Sequence, residues 1–440
     1  MNSQHLSDAI RRCSSALPHP SERSAPLTHP MPTFRRPGRF PPRDVYPHQA
    51  GELIEQLRRF IGHDRLVQQT AEYRSTARTN NGVVVARLRD NQPLIEAFEE
   101  YEKATRHRQR PLRTIDGQLG DLANVAAHCR VVAPTLLDAV ERHHREKLID
   151  LNGQLKPLLL EWKTATHFAR AYDAEIAWLS VDQTGPEFIA RMDGLECEVE
   201  CKRQSHMIVE LLGLAEADQL AHRIIDRVAG IRLRGSLLLH VPDDFQRSSL
   251  DEAGAWAASL ASIGGPGEVN VELPGGLRLE GEVFLGDGSG TDAAEWQSML
   301  RDRNREDARL YSQARAAGQV AVDPIDLQMI GPRRNGMDLV EYLWDRKFSK
   351  AAGQCSGERG AVLVFEWEGI DDPTIFSESD GFFSLLARTF DEHRHVAAIA
   401  MRCDAAPKRL NGVIDYATGA YLAKSEVTNF PEVRDLLRLD

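Results

Sequence analysis

The stretch Glu196-Cys197-Glu198-Val199-Glu200-Cys201-Lys202 alternates charged and apolar residues without a break, which leaves a strand as the conformation that separates the two kinds. In a strand Glu196, Glu198, Glu200 and Lys202 point one way and Cys197, Val199 and Cys201 the other. The apolar face is suited to packing against helices. A row of three carboxylates ending in a lysine gains nothing from burial unless a cation stands beside it, and a divalent metal is the obvious candidate.

The flanking sequence supplies a sheet for this strand. Residues 155–172 read as a helix with Leu158, Trp162, Ala165, Ala169 and Tyr172 on one stripe and Glu161 at its border. Strands are expected at 176–181 and 186–192, separated by a turn at 182–185, and Asp193-Gly194 marks a tight hairpin into the charged strand. A helix through 216–225 and a buried strand at 236–241 follow. Residues 245–335 read as an insertion holding a hairpin (268–273 with 277–285) and a charged helix near 293–317. The glycines of 286–290 lack a P-loop lysine and are turn chemistry. A helix at 338–355, a strand at 361–367, a helix at 382–390 and a strand at 396–401 complete an α/β sheet covered on both faces.

Upstream, residues 1–45 are rich in Pro, Ser and Arg and predict a disordered tail. Residues 46–150 predict a helical region, with helices at 51–61, 93–108 and 134–149 and a turn at 80–82. His143, His144 and Glu146 do not have the spacing of a metal-binding helix, and read as a solvated face. From 151 to 440 the chain reads as one α/β domain carrying the insertion.

The 440 residues carry a net charge of −11, which argues against non-specific coating of nucleic acid but leaves room for an acidic catalytic site. No apolar run approaches the roughly 18 residues that span a bilayer, and a signal-peptide pattern is lacking, so a cytoplasmic protein without a membrane partner is expected. The six cysteines form no CxxC pair and read as reduced, mostly buried thiols.

Pro186-Glu187, the thirteen residues from Glu187 to Glu200, and Glu200-Cys201-Lys202 together resemble the PD-(D/E)xK nuclease superfamily, the restriction-endonuclease-like fold. That resemblance implies a mixed sheet flanked by helices, here preceded by the helical region and the tail. It implies that Glu187 and Glu200 bind Mg2+, with Mn2+ as a substitute, that Lys202 acts near the attacking water, and that Glu161 assists from its helix. The family's aspartate after proline is a glutamate here, one methylene longer. Two acids on adjacent strands suit magnesium, which prefers carboxylate oxygens and keeps several waters. Arg203 and Gln204, directly after the lysine, and Lys350 and Gln354, on one face of a later helix, are candidate substrate contacts. The expected function is metal-dependent hydrolysis of phosphodiester bonds, in DNA before RNA, with a protein partner or a homodimer left open. The alternative is a non-catalytic nucleic-acid- or protein-binding module that keeps the fold.

Overall fold

The computed structural model describes residues 33–37, 45, 47–79, 85, 88–89, 91–106, 117–151, 153–179, 185–204, 214–242, 245, 247–285, 309–313, 325–331, 344–367, 380–403, 408–410, 413–415 and 420–437. The protein is mixed α/β, with two mixed sheets flanked by helices.

Helices α1 (Pro47–Ile61), α2 (His63–Thr79), α3 (Pro93–Arg106), α4 (Gly117–Val132), α5 (Asp138–Leu148) and α6 (Leu155–Ala171) come first. Sequence periodicity marks α1, α3 and α6 but not α4, and the reason is physical. Leu119, Leu122, Val125, Ala126, Cys129 and Val132 of α4 are all buried, and the helix is apolar around most of its circumference. A helix wrapped by neighbours carries no polar stripe to reveal its period. Its packing against α1, α3 and α6 joins the helical region to one face of the main sheet in a single core.

The main sheet is six-stranded, ordered β1 (Glu175–Trp178), β2 (Phe188–Met192), β3 (Leu195–Gln204), β9 (Gly360–Trp367), β10 (Val396–Cys403) and β11 (Ala420–Lys424). β1, β2 and β3 form an antiparallel meander, while β3, β9 and β10 run parallel. The Asp193-Gly194 hairpin forms where the sequence places it, with φ of 46° and 80°, the doubly left-handed turn that matches strand twist. Val199, Cys201, Val362 and Val364 face the helical core; Leu363, Phe365, Ile399 and Met401 face a second core with Phe348 and Leu385. Helices α9 (Ser349–Gln354) and α10 (Asp380–Glu392) belong to that second layer.

Between β3 and α9 lies a five-stranded sheet ordered β5 (Gly267–Leu273), β6 (Leu277–Leu285), β4 (Leu233–His240), β8 (Ile325–Ile330) and β7 (Arg309–Gln313), with its own core against α7 (Leu214–Gly230) and α8 (Ala253–Ala261). The strand expected at 236–241 to extend the main sheet is β4 and pairs here instead, with β6 and β8. The second sheet therefore reaches outside the 245–335 expected for the insertion. Within the expected charged helix, residues 309–313 form β7, antiparallel to β8; the rest of 293–317 lies outside the described residues. So do the turns at 80–82 and 182–184, the 286–290 glycines and residues 338–343.

Residues 33–37 of the expected disordered tail are docked. Arg35 and Ile176 exchange both backbone hydrogen bonds (3.1 and 3.0 Å), the Arg35 guanidinium donates to the Leu136 carbonyl (3.0 Å), and Phe34 stacks under Arg191. A free edge of β1 offered unpaired amides and carbonyls, and this short segment satisfies two of them. No described helix is long and apolar enough to cross a membrane.

Candidate active site

The charged face of β3 divides into two halves with different fates. Glu196 accepts from Arg191 (2.9 Å) and Arg359 (3.0 Å), which hold its carboxyl below the usual range despite partial burial. Glu198, buried, accepts from the Ser356 amide (2.7 Å) and hydroxyl (2.6 Å), with Arg359 at 3.5 Å. Both are neutralised by the protein itself. Glu200 is served less well: it is fully buried, the Lys202 ammonium is in contact with Oε1, and that ammonium and the Glu187 amide are the donors turned toward it, neither in ordinary hydrogen-bond geometry.

Three elements bring further acids to Glu200. Glu187 stands just ahead of β2, held where its amide donates to the Val199 carbonyl (3.0 Å), so it lies beside Glu200 across the strand pair. Glu161 comes from α6 and is buried. Burial first and the Glu187 carboxylate second push Glu161 up to about 8. Burial, with Glu187 adding and Lys202 opposing, pushes Glu200 up to about 7. Glu187 is raised by burial against Lys202 and Lys147. Burial depresses the Lys202 ammonium, but Glu200 beside it outweighs that and holds it above its ordinary value. All three carboxylates are raised chiefly by burial, with Glu187 adding to Glu200 and both of these adding to Glu161.

The helical region, expected to carry no chemistry, supplies part of what cation there is. Lys147 Nζ lies 3.6 Å from Glu161 Oε1, and His144 Nε2 lies 4.0 Å from Oε2. His144, read from sequence as solvated, is buried against Trp178 (ring centroids 4.8 Å apart, edge-on) and accepts from the Trp162 indole through Nδ1 (3.1 Å). Its neutral ring therefore carries the proton on Nε2, toward Glu161. The one sequence signal for this pair was its i, i+3 spacing, which puts both on one helix face. Their target lies on the following helix, which local spacing does not reveal.

Burial, with Lys147 and His143 adding, holds His144 down at about 3. A histidine depressed in the folded state contributes stability that is whole above its unfolded value near 6.5 and lost as pH falls toward the folded one. At pH 5 the loss is about 2 kcal/mol. His144→Gln, which keeps an acceptor for Trp162, should show a stability loss between pH 7 and 5 smaller than wild type by that amount in denaturant titrations; equal losses would remove His144 as the acid-sensitive group.

The remaining candidates are spread around this centre. The Gln354 side chain reaches the Gly185 carbonyl (3.5 Å), bracing the loop that carries Glu187 from α9. Lys350 on the same helix is exposed to solvent. Arg203 lies against Glu366 (3.4 Å), and the Gln204 side chain is outside the described residues.

Among the described residues no three His, Cys, Asp or Glu side chains form a ready-made metal cage. Magnesium does not need one, because it is bound through one or two carboxylates and keeps its waters. The donor set of Glu187 and Glu200, hard oxygens of which the two of Glu200 are buried without a hydrogen bond of ordinary geometry, fits that requirement. The described cysteines, Cys129, Cys197, Cys201 and Cys355, are buried free thiols, and two of them line the opposite face of β3. No protein family, curated protein or solved structure matches the chain.

Proposed function

We propose that the protein is a magnesium-dependent phosphodiesterase acting on nucleic acid, DNA before RNA, built on a core like that of the PD-(D/E)xK nucleases. The observation that carries this is Glu200: a fully buried carboxylate whose donors, Lys202 and the Glu187 amide, lack ordinary hydrogen-bond geometry, grouped with two other acids against Lys202 and Lys147. In support, the helix bearing Glu161, the hairpin bearing Pro186-Glu187 and the strand ending Glu200-Cys201-Lys202 meet in one place. Burial raises the proton affinity of all three acids, and Glu187 adds to it at Glu200 and Glu161, an electrostatic pattern common at sites arranged for chemistry.

Glu187 and Glu200 would hold the ion, which would supply polarisation of the scissile phosphate and a more acidic attacking water. Lys202, on the same strand face as Glu200, carries the protons that can be offered to the water or to the phosphoryl oxygens, where negative charge accumulates. Lys147 and His144 flank the buried Glu161, whose raised proton affinity favours a carboxyl that holds its proton near neutral pH. The non-catalytic alternative draws on one observation, the lack of a three-ligand cage among the described residues.

Labelled single- and double-stranded DNA and RNA, each with Mg2+ or Mn2+, test the proposal. Wild type should cut at least one, and Lys202→Met should lower the rate by roughly 100-fold or more, the scale on which removal of a single transition-state donor acts. Failure of the wild type on every substrate would contradict the enzyme, and an unimpaired Lys202→Met would remove the lysine from it.

A further inference from the structure

Helix α9 packs in the layer of Leu363 and Phe365, the residues of β9 that lie opposite Glu200 and Lys202. Partners in a parallel ladder point to one side, so α9 stands on the same face of the main sheet as Glu198, Glu200 and Lys202. The end of this helix reaches two parts of the site. Gln354 Nε2 donates to the Gly185 carbonyl (3.5 Å), two residues ahead of Glu187. Cys355 is buried, and its thiol is pushed up by burial and further by Glu198 and Glu200, which puts both carboxylates near it. Ser356 holds Glu198 through its amide and hydroxyl. One short stretch thus touches the loop of Glu187 and the strand of Glu200.

The backbone at Glu187 is pinned by its amide on the Val199 carbonyl (3.0 Å) and by the Leu179 amide on its own carbonyl (3.4 Å). Just ahead of it, Gly185 passes so close to Leu179 that a Cβ would stand 2.9 Å from Cδ1, and Gln354 takes the Gly185 carbonyl. That bond fixes which way the amide faces, because the reverse orientation would set oxygen against oxygen. The other half of the amide is unspent: Gln354 Oε1 is buried and has no hydrogen-bond partner among the described residues. A buried acceptor left bare costs about 1–3 kcal/mol. Both oxygens of Glu200, on the same face, also lack a donor in ordinary geometry. Acceptors therefore outnumber donors at this end of the sheet. The waters that a magnesium ion keeps are donors, and partners beyond the ligands commonly orient such a shell.

We propose that Gln354 is a positioning residue of the metal centre: Nε2 sets the loop that carries Glu187, and Oε1 accepts from a water in the shell of the ion held by Glu187 and Glu200. The role rests on the metal reading of those two carboxylates and extends it to a residue 169 positions along the chain from Gly185.

Calorimetric titration of Mg2+ into the full chain at pH 8, with no nucleic acid present, tests it. Gln354→Met, similar in length without the polar head, should weaken binding about 10-fold or more, the scale on which partners of metal ligands act. Gln354→Glu separates the two halves of the amide. It loses the donor to Gly185 but keeps an oxygen for the water, so its affinity should stay within a few-fold of wild type. Gly353→Glu adds the same charge one residue away, where a Cβ meets open space, and should not tighten binding. Folded Gln354→Met with wild-type affinity would overturn the proposal. Gln354→Glu as weak as Gln354→Met would reduce Gln354 to a loop brace and overturn the water contact, as would a tightening by Gly353→Glu as large as the gain of Gln354→Glu over Gln354→Met. Should Gln354→Met fail to fold, a Gln354→Glu protein that binds 10-fold more weakly than wild type would still overturn it. Wild-type binding that Glu200→Gln abolishes and Gln354→Met leaves unchanged removes only the role of Gln354; a wild type that binds no Mg2+ removes the metal reading as well.

Discussion

Glu200→Gln is expected to abolish cleavage and, in the absence of metal, to make the protein more stable. The carboxylate is fully buried, and burial raises its proton affinity from 4.5 to about 7 despite the nearby Lys202 ammonium and Glu187 amide, whose contacts lack ordinary hydrogen-bond geometry. A carboxyl whose folded value lies above its unfolded one contributes stability that is whole below the unfolded value and is lost as pH rises through the folded value. Above pH 7 that loss is at most ~3 kcal/mol. Glutamine has the same shape and no charge to bury, so the variant recovers a large part of it. Lys202 is left without its neighbour, but its side chain is 27% exposed and reaches water. The gain should therefore appear in denaturant titrations at pH 8 in EDTA and shrink toward pH 5. A variant that is less stable than wild type at pH 8 would mean that Glu200 is satisfied in the fold and is not waiting for a cation.

Two residues earlier the same substitution should have the opposite sign. Glu198 accepts from the Ser356 amide and hydroxyl, with Arg359 behind it. Hydrogen bonds to a buried charge are worth about 1.5–3 kcal/mol each. Glu198→Gln turns one acceptor into a donor that faces a donor and leaves Arg359 short of a partner. We expect a loss of about 3 kcal/mol, with metal affinity retained by the protein that remains folded. Equal stability in Glu198→Gln and wild type would mean that the tie between β3 and the start of β9 is not a structural one. The pair of variants separates an acid that builds the sheet from an acid kept for a ligand, which alternation along the strand cannot do.

That limit describes what was legible in the sequence. Alternation located β3 and its two faces, and Asp193-Gly194 located the hairpin, because both are properties of adjacent residues. The partners of the charged face are not: Ser356 is 158 residues from Glu198. Three carboxylates in a row therefore suggested one metal-binding face, when arginine and serine from elsewhere neutralise two of them. His144 and Lys147 were illegible for a similar reason, since a helix that packs its polar residues against a neighbour's acid has the same pattern as one that shows them to water. The strand at 233–240 is apolar and buried in either sheet, so its sequence does not choose between the main sheet and the second one; pairing with β6 and β8 does. β11 closes the far edge of the main sheet with Ala420–Lys424, a short run of mixed character that periodicity leaves unmarked.

The most direct measurement is calorimetric titration of Mg2+, and then Mn2+, into wild type, Glu187→Gln, Glu200→Gln and Glu198→Gln at pH 8. Saturable binding is expected for wild type and for folded Glu198→Gln, with that binding lost in both Glu187→Gln and Glu200→Gln. Absence of binding to wild type, or binding that survives both of those substitutions, would contradict a metal centre at Glu187 and Glu200.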